Sequence, residues 1–357
     1  MQIEAATADY ERWLRRFMRP VATDLREKHR RMRAGAFPFL RATFYRWCQL
    51  WPLLAPAEQR DARLLAVGDL HIENFGTWRD ADGRLVWGIN DFDEVARLPW
   101  SHDLVRLAAS ALLATTTGRL RLGRRNACAA ILQGYREGFA TGGRPFVLEE
   151  QHAWLREIAV NELRDPVAFW AKLDRLPTAA IDPRAAAALR RALPGARLGA
   201  RFARRLAGMG SLGRPRFVAI AEWAGGKIAR EAKALAPSAV LWAAGAAGAR
   251  SDYATLIAAA VRAPDPTVRV DDGWIMRRLA PHCTRIELAD LPDVHDEELL
   301  LHAMGFETAN AHLGTPAAAA RVRRELGRRK PSWLYACAKP FVAAIERDWE
   351  RWRGLGR

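Results

Sequence analysis

The alternation between helical and β-type apolar patterns constrains the fold of this chain more than any other feature. Apolar residues recur at helical spacing over residues 1–60 and again from residue 286 to the C-terminus. Between these regions, residues 204–280 contain short apolar runs separated by turns rich in glycine and aspartate, a pattern typical of antiparallel strands. We therefore predict an α+β fold with a mainly helical large lobe and a small antiparallel β lobe.

The predicted organisation follows these changes of pattern. A helical lobe covers residues 1–203, the β-rich lobe covers 204–280, and helices over 281–357 complete the large lobe. Within the first lobe, two strands are predicted over 63–67 and 84–89, and a helix is predicted over 196–206. In the small lobe, the strands are predicted over 216–223, 227–233, 267–270 and 274–279.

Composition excludes several classes of protein. Of the 357 residues, 50% are apolar, which is too high a fraction for a disordered chain. No apolar run reaches the roughly 18 residues of a membrane span, and the first residues lack the apolar segment of a signal peptide. The four cysteines lie far apart, so neither a zinc ribbon nor a disulfide framework is expected, and the predicted compartment is the cytoplasm.

The basic residues favour an anionic partner. The formal net charge is +16, which suits a nucleic acid, a phosphate-bearing small molecule or a lipid surface. Only six of the 56 basic residues are lysines, and this ratio reflects genome composition more than function. In a sequence with so few lysines, a lysine is therefore a better indicator of a functional role than an arginine.

The clearest chemistry lies in residues 68–76, Gly-Asp-Leu-His-Ile-Glu-Asn-Phe-Gly, and residues 90–93, Asn-Asp-Phe-Asp. Phosphoryl transfer needs a carboxylate that deprotonates the acceptor hydroxyl, and oxygen ligands that hold Mg²⁺ against the phosphates. Asp69 and Asn74 have the five-residue spacing of a kinase catalytic aspartate and metal-binding asparagine, and Asp91 ends the next strand. The predicted catalytic residues are Asp69 and His71, the latter also suited to bracing the loop, and the predicted metal ligands are Asn74, Asp91 and Asp93.

Two other interpretations of these residues are open. Asp, Asn and Gly are common in turns, so the segment could be structural. Gly-Asp-x-His also opens the sites of dimetal phosphoesterases. Those sites need a later Gly-Asp and a Gly-Asn-His element, and this sequence has neither downstream.

A glycine-rich loop, Gly-Met-Gly-Ser-Leu-Gly, occupies residues 208–213. Such loops let backbone N–H groups approach phosphates. A β-type run follows the loop, which disfavours the dinucleotide-binding type because that type needs a helix there. The kinase type needs a lysine on the next strand, which Lys227 or Lys233 would supply. The predicted nucleotide-binding residues are Gly208, Gly210, Ser211, Gly213 and Lys233.

These motifs resemble the bacterial family called domain of unknown function 2252, from about Lys28 into the C-terminal helices. The marks of the resemblance are segments 37–41, 68–76, 90–94, 99–107 and 208–213, together with Lys233, Pro237 and Ser238. That family is distantly similar to the kinase-like superfamily, which includes aminoglycoside and choline phosphotransferases.

The resemblance implies a role for individual residues. It makes Asp69 the base and Lys233 the phosphate contact, with Asn74 and Asp91 at the metal positions and Asp103 a buried brace of the catalytic loop. Arg41 is similar to an early arginine of the family whose role is unassigned, and it joins the predicted nucleotide-binding residues.

The sequence departs from the kinase-like pattern in two ways. The catalytic segment precedes the glycine loop, which is the reverse of the order in ordinary kinases; a circular permutation that inserts the β lobe into the helical lobe would explain this. In addition, Ala280-Pro281-His282-Cys283 stands where the family tends to carry Arg-Asp-x-Lys, and Ala42 replaces an expected glycine.

The sequence thus predicts a phosphotransferase of kinase-like fold that uses ATP and Mg²⁺ on an unknown hydroxyl acceptor, either a small molecule or a protein. The departures leave open a pseudokinase that binds nucleotide without transferring phosphate. A third interpretation is a basic module that binds nucleic acid or another polyanion without catalysis, although no nucleic-acid-binding motif is visible.

Overall fold

The computed structural model describes residues 1–116, 118, 120–149, 151–160, 165–195, 197–246, 248, 251–283, 285–286 and 296–355. These residues form fourteen α-helices and three antiparallel sheets, which confirms the predicted α+β class. The helices are α1 (Ile3–Leu14), α2 (Ala22–Met32), α3 (Ala36–Ala42), α4 (Phe44–Leu54), α5 (Trp100–Thr116), α6 (Arg124–Thr141), α7 (Ala153–Ala159), α8 (Pro166–Asp174), α9 (Pro183–Ala192), α10 (Ala239–Ala243), α11 (Tyr253–Ala259), α12 (Glu297–Leu313), α13 (Pro316–Gly327) and α14 (Trp333–Gly354). The strands are β1 (Arg63–Ala66), β2 (Phe75–Arg79), β3 (Leu85–Ile89), β4 (Ala96–Pro99), β5 (Phe146–Val147), β6 (Arg201–Arg204), β7 (Arg216–Trp223), β8 (Gly226–Ala234), β9 (Arg269–Asp271) and β10 (Trp274–Leu279).

The largest sheet has five strands in the order β6-β7-β8-β10-β9. Strands β7 and β10 have the predicted bounds. Small side chains on β7 and β8, such as Ala219 and Ala232, let helix α9 pack closely on one face through Leu189. Lys233 lies on the central strand β8, paired in register with Arg216 on one side and Ile275 on the other.

The helix predicted over 196–206 is wrong for the described part of that segment. Residues 201–204 form strand β6, which pairs antiparallel with β7 from Arg201 opposite Ile220 to Arg204 opposite Phe217. Pairing with a sheet edge overrides the helical preference of arginine and alanine, because strand formation depends strongly on neighbouring strands. Residue 196 lies outside the described residues, as do residues 287–295 of the region predicted to be helical from 286.

The helical part has one extended core built around α5, which is buried along almost its whole length. Helices α6 and α12 pack closely because glycines lie at their contact: a Cβ on Gly134 would lie 1.8 Å from the carbonyl oxygen of His302. No helix among the described residues has both the length and the apolar character needed to cross a membrane.

Two small sheets carry the loops that bear the predicted catalytic and metal residues. Strand β1 pairs with β4, and β2 pairs with β3, which also pairs with β5. The loop between β1 and β2 and the loop between β3 and β4 meet where the amide of Asn90 donates to the carbonyl oxygen of Asn74 at 2.9 Å. Segments distant in sequence are thereby brought to one place.

Candidate functional site

The turn after β1 places Asp69 at the edge of the helical core. Gly68 has a φ of +83°, and a Cβ there would lie 2.3 Å from the carbonyl oxygen of Glu94. Only glycine satisfies both conditions without strain. The backbone amides of Val67 and Gly68 donate to the carboxylate of Asp103 at 2.6 and 3.0 Å. The turn is therefore fixed by a side chain from the first turn of α5.

Asp103 is itself held in a buried network. The Nε2 of His312 lies 3.0 Å from Oδ2 of Asp103, and the Nδ1 of His102 lies 3.4 Å from Oδ1. Burial alone would raise the pKa of Asp103, but the hydrogen bonds from His102 and His312 hold that pKa below its usual range. Asp103 thus stays an ionised acceptor for the turn that carries Asp69.

Arg106, one helical turn after Asp103, binds Asp69 directly. Its Nε donates to Oδ1 of Asp69 at 2.9 Å, and its Nη2 donates to the same oxygen. The second oxygen, Oδ2, faces the glycine loop: a Cβ on Gly210 would lie 3.2 Å from it. The Asp69 side chain is 18% exposed, whereas Arg106 is fully buried. Asp69 therefore has one oxygen fixed by the core and one available to a ligand.

Asn74 links the two loops and has a free acceptor atom. Its Nδ2 donates to the carbonyl oxygens of Asp69 at 3.2 Å and Asp91 at 2.9 Å. Its Oδ1 is buried and has no hydrogen-bond partner among the described residues. Because buried polar atoms in proteins are normally satisfied, an acceptor of this kind indicates a missing ligand.

Asp91 and Asp93 share the ammonium of Lys233. The Nζ of Lys233 lies 3.0 and 3.1 Å from the two oxygens of Asp91, and 2.6 Å from Oδ1 of Asp93. Burial would raise the pKa of Asp91, but Lys233, with Asp93 and Arg285, holds it well below the usual range. The pKa of Asp93 is raised by burial and by the adjacent charge of Asp91. Asp91 is therefore the fully ionised member of the pair.

Further cations surround these carboxylates. Arg214 lies 3.3 Å from Asp93 and 2.6 Å from Glu94, and Arg285 lies 3.4 Å from Asp91. Arg41 forms an ion pair with Glu73. The acidic side chains of the two loops are thus matched by positive charge before any ligand binds.

His71 is buried beside these groups, and its Nδ1 has no partner among the described residues. Burial, followed by the charges of Arg41 and Arg285, lowers its pKa well below the usual range. A neutral imidazole in this position suits bracing of the loop or a contact with a ligand better than it suits an acid that donates a proton.

The glycine loop covers the same region from the side of the β lobe. A Cβ on Gly210 would lie 3.0 Å from the carbonyl oxygen of Arg41, so this glycine permits a close approach. Ser211 accepts a hydrogen bond from Arg216 at 2.8 Å. Gly208 and Gly213 adopt positive φ angles of 78° and 97° and shape the turns at the two ends of the loop.

A narrow cleft lies between these elements. Eight of the predicted site residues line it: Arg41, Asp69, His71, Asn74, Asp91, Asp93, Gly210 and Ser211. Gly208, Gly213 and Lys233 do not line it, although Lys233 contacts Asp91 and Asp93, which do. The cleft also contains residues that the motifs did not single out, namely Tyr10, Lys28, Phe44, Tyr45, Arg214 and Arg285.

Among the described residues, the cleft offers few side-chain ligands to a metal ion. No group of three or more histidine, cysteine, aspartate or glutamate side chains that could hold a metal ion occurs within the described part of the chain. Its potential oxygen ligands are one amide and one or two carboxylates. Magnesium typically binds through such a small set, with phosphates and water completing its coordination.

Comparisons with known proteins give one match to a family model and no match that indicates an activity. No curated protein and no solved structure matches the chain. Residues 19–168 match the family described as "Uncharacterized protein conserved in bacteria (DUF2252)". The matched segment contains Asp69, Asn74, Asp91 and Asp103, whereas the glycine loop and Lys233 lie beyond it. This part of the chain therefore carries the sequence pattern of that bacterial family.

Proposed function

We propose that the protein is an ATP- and Mg²⁺-dependent phosphotransferase that acts on a hydroxyl acceptor. The observation that carries this proposal is the meeting of Asp69, Asn74 and Asp91 at one cleft, with the Lys233 ammonium on Asp91. A carboxylate, an amide oxygen, a second carboxylate and a lysine are the groups that phosphoryl transfer requires from a protein.

The architecture supports a kinase-like arrangement with permuted chain order. A five-stranded antiparallel sheet over residues 201–279 carries the glycine loop and Lys233, and it follows the catalytic segment in sequence. The predicted division into 1–203, 204–280 and 281–357 then corresponds to a β lobe inserted into a helical lobe. Residues from both parts line the cleft.

The residues of the cleft fit a bound Mg²⁺. Asn74 Oδ1 is a buried acceptor without a partner among the described residues, and Asp91 is held ionised. These two residues would hold the ion, with Asp93 beside them, and the ion would neutralise charge on the phosphates. Lys233 adjoins the same carboxylates, so its ammonium is placed for the phosphate oxygens that the ion would bind.

Asp69 is the base in this proposal. Arg106 fixes its orientation through Oδ1, and Oδ2 accepts the proton of the acceptor hydroxyl. The hydroxyl oxygen forms a bond to the γ-phosphorus of ATP while the bond from that phosphorus to the β,γ-bridging oxygen breaks. ADP leaves with the bond's electron pair, and the proton remains on Asp69 until solvent removes it.

Binding of Mg²⁺ and a non-hydrolysable ATP analogue to the full-length protein tests the nucleotide site. Asp91→Ala should weaken this binding at least tenfold, because it removes a metal ligand and the partner of Lys233. The matched control is Asp174→Ala, which removes the carboxylate of the exposed ion pair with Lys227. If the two variants bind equally, or if the wild type does not bind, the assignment is wrong.

A nucleotide-binding switch without transfer is the second candidate function. It is favoured by the ion pair with Arg106, which already occupies one of the two oxygens of Asp69. Tight binding of Mg²⁺ and nucleotide without ADP formation would support this candidate over the phosphotransferase.

A further inference from the structure

Lys28 is a buried cation without a carboxylate partner. It lies on α2 and is 6% exposed, and no carboxylate among the described residues lies within ion-pair distance of its Nζ. Its one hydrogen bond to the described part of the chain is a long one, to the carbonyl oxygen of Gly210 at 3.4 Å. The Nζ also lies 5.7 Å from the centre of the Tyr45 ring. At least two of its three N–H donors are therefore unused.

A buried ammonium without a counter-ion destabilises the folded protein unless an anionic ligand binds to it. A buried ammonium is normally paired, because removal of a charge from water is unfavourable. Burial lowers the pKa of Lys28 to about 8, while the more distant carboxylates of Glu11, Glu94 and Asp69 act in the opposite direction. The side chain is therefore largely a cation at neutral pH, and it lacks the counter-ion that the other buried lysine, Lys233, has.

The contacts of Lys28 show in which part of the cleft its ammonium lies. It binds the carbonyl oxygen of Gly210, and a Cβ on Gly210 would lie 3.2 Å from Oδ2 of Asp69. Lys28 therefore lies near the oxygen that would receive the acceptor proton, and Lys233 lies with Asp91 and Asp93. Tyr10, Phe44 and Tyr45 line the cleft together with Lys28. The two lysines therefore contact different groups of this region.

We propose that Lys28 forms an anion subsite at the acceptor end of the cleft, where it holds a carboxylate or phosphate group of the acceptor. The identification of this end with the acceptor rests on the proposed phosphotransferase function. The acceptor class is then a small molecule, or a protein segment, that carries both a hydroxyl and an oxyanion. The scarcity of lysine in this arginine-rich chain agrees with a specific requirement for a compact ammonium.

The test is a titration of the full-length protein with inorganic phosphate while Mg²⁺ and a non-hydrolysable ATP analogue are saturating. The analogue fills the nucleotide site, so the phosphate reports on the remaining anion site. Wild type should bind phosphate, and Lys28→Met should bind it at least tenfold more weakly, as expected for loss of a charged hydrogen-bond donor. Lys28→Arg should bind phosphate more tightly than Lys28→Met but more weakly than wild type, because it keeps the charge and loses the compact ammonium. Lys339→Met, an exposed lysine on α14, is the control and should bind as wild type does.

The outcomes separate this inference from the proposed function. Equal phosphate binding by wild type and Lys28→Met, or no phosphate binding by wild type, would overturn the subsite. A loss of analogue affinity in Lys28→Met would also overturn it, because the lysine would then serve the nucleotide phosphates. If wild type fails to bind the ATP analogue, the proposed phosphotransferase function is contradicted. In that case, Lys28-dependent phosphate binding to the free protein would still support an anion subsite.

A comparison of acceptors gives a second readout. Hydroxyl compounds are assayed with Mg²⁺ and ATP as matched pairs, with and without a carboxylate or phosphate group. We expect transfer to the anionic member of a pair. Lys28→Met should reduce kcat/KM for that member at least tenfold, whereas the control Lys339→Met should keep the wild-type value. Equal use of both members by wild type would contradict the subsite.

Discussion

The Nε of Arg106 donates to Oδ1 of Asp69 at 2.9 Å, which ties the middle of α5 to the turn after β1. Arg106 also donates to the carbonyl oxygen of Leu40 at 3.0 Å, and its guanidinium lies over the rings of Phe44 and Trp47. The proposed base is therefore oriented by a buried cation that is itself held by backbone and aromatic contacts. In the proposed reaction, Arg106 would act through Asp69, as a positioning residue.

Arg106→Met should lower the free energy of unfolding by about 3 kcal/mol, because it leaves the carboxylate of Asp69 without its buried partner. Asp69→Asn should cost less, since the amide oxygen still accepts from the guanidinium. Urea unfolding of the two variants measures the difference. A smaller loss for Arg106→Met than for Asp69→Asn would contradict the role assigned to this ion pair.

Asp103→Asn should destabilise the protein by about 3 kcal/mol and should also disturb the position of Asp69, which the same turn carries. Both oxygens of Asp103 accept from backbone amides, so an asparagine would place an NH₂ group against one of these donors. Hydrogen exchange at the amides of Val67 and Gly68 should become faster, together with reduced ATP turnover. Unchanged exchange at both amides would show that Asp103 does not fix the turn.

The same residue predicts a pH dependence of stability. The pKa of Asp103 in the folded protein lies below the unfolded value of 3.8. Its contribution is therefore present at neutral pH and is lost as the pH falls through and below about 4. Asp103→Asn should flatten this part of the stability profile relative to wild type. If the two profiles below pH 4 are parallel, the carboxylate is not stabilised by folding.

Lys28 predicts a pH dependence of stability with the same sign as that of Asp103 but at alkaline pH. Its folded pKa of about 8 lies below the unfolded value of 10.5, so the unfolded chain binds this proton more tightly. Stability should therefore rise as the pH increases from about 8 to 10.5. Lys28→Met should remove this rise and stabilise the free protein at pH 7 by up to about 3 kcal/mol. A destabilised Lys28→Met variant would contradict the absence of a compensating partner.

Gly210→Ala should reduce ATP turnover about tenfold with less than about 1 kcal/mol of lost stability. The new Cβ would lie 3.0 Å from the carbonyl oxygen of Arg41 and 3.2 Å from Oδ2 of Asp69, so the loop must shift away from the base. Gly199→Ala is the matched control, because nothing lies within 4 Å of a Cβ there. Equal turnover of the two variants would show that the close approach of the loop is not required.

Local motifs predicted which residues meet at the cleft more reliably than they predicted secondary structure. The spacing of Asp69 and Asn74 and the position of Asp91 follow from short segments, and the structure places all three at one cleft. Strand β6 could not be predicted in this way, since it depends on pairing with β7, which lies beyond the glycine loop.

The sequence motifs do not single out Arg106 or Lys28, because the surroundings of both side chains are formed by segments distant in sequence. Arg106 reads as an ordinary member of α5, and only packing shows that it is buried against Asp69. Its one signal was a charge inside an otherwise apolar helical run. Lys28 had a signal as well, because lysine is rare in this chain. However, only the structure shows that its side chain is buried and that no carboxylate among the described residues pairs with it, because distant segments surround it.

The rate of ADP formation from ATP and Mg²⁺ by the full-length protein, with water as the acceptor, measures whether Asp69 acts as the base. Wild type should form ADP, and Asp69→Asn should do so about 10²–10⁴ times more slowly while it binds the non-hydrolysable analogue with wild-type affinity. Equal rates for wild type and Asp69→Asn, or no ADP formation by wild type, would contradict the assignment of Asp69 as the base.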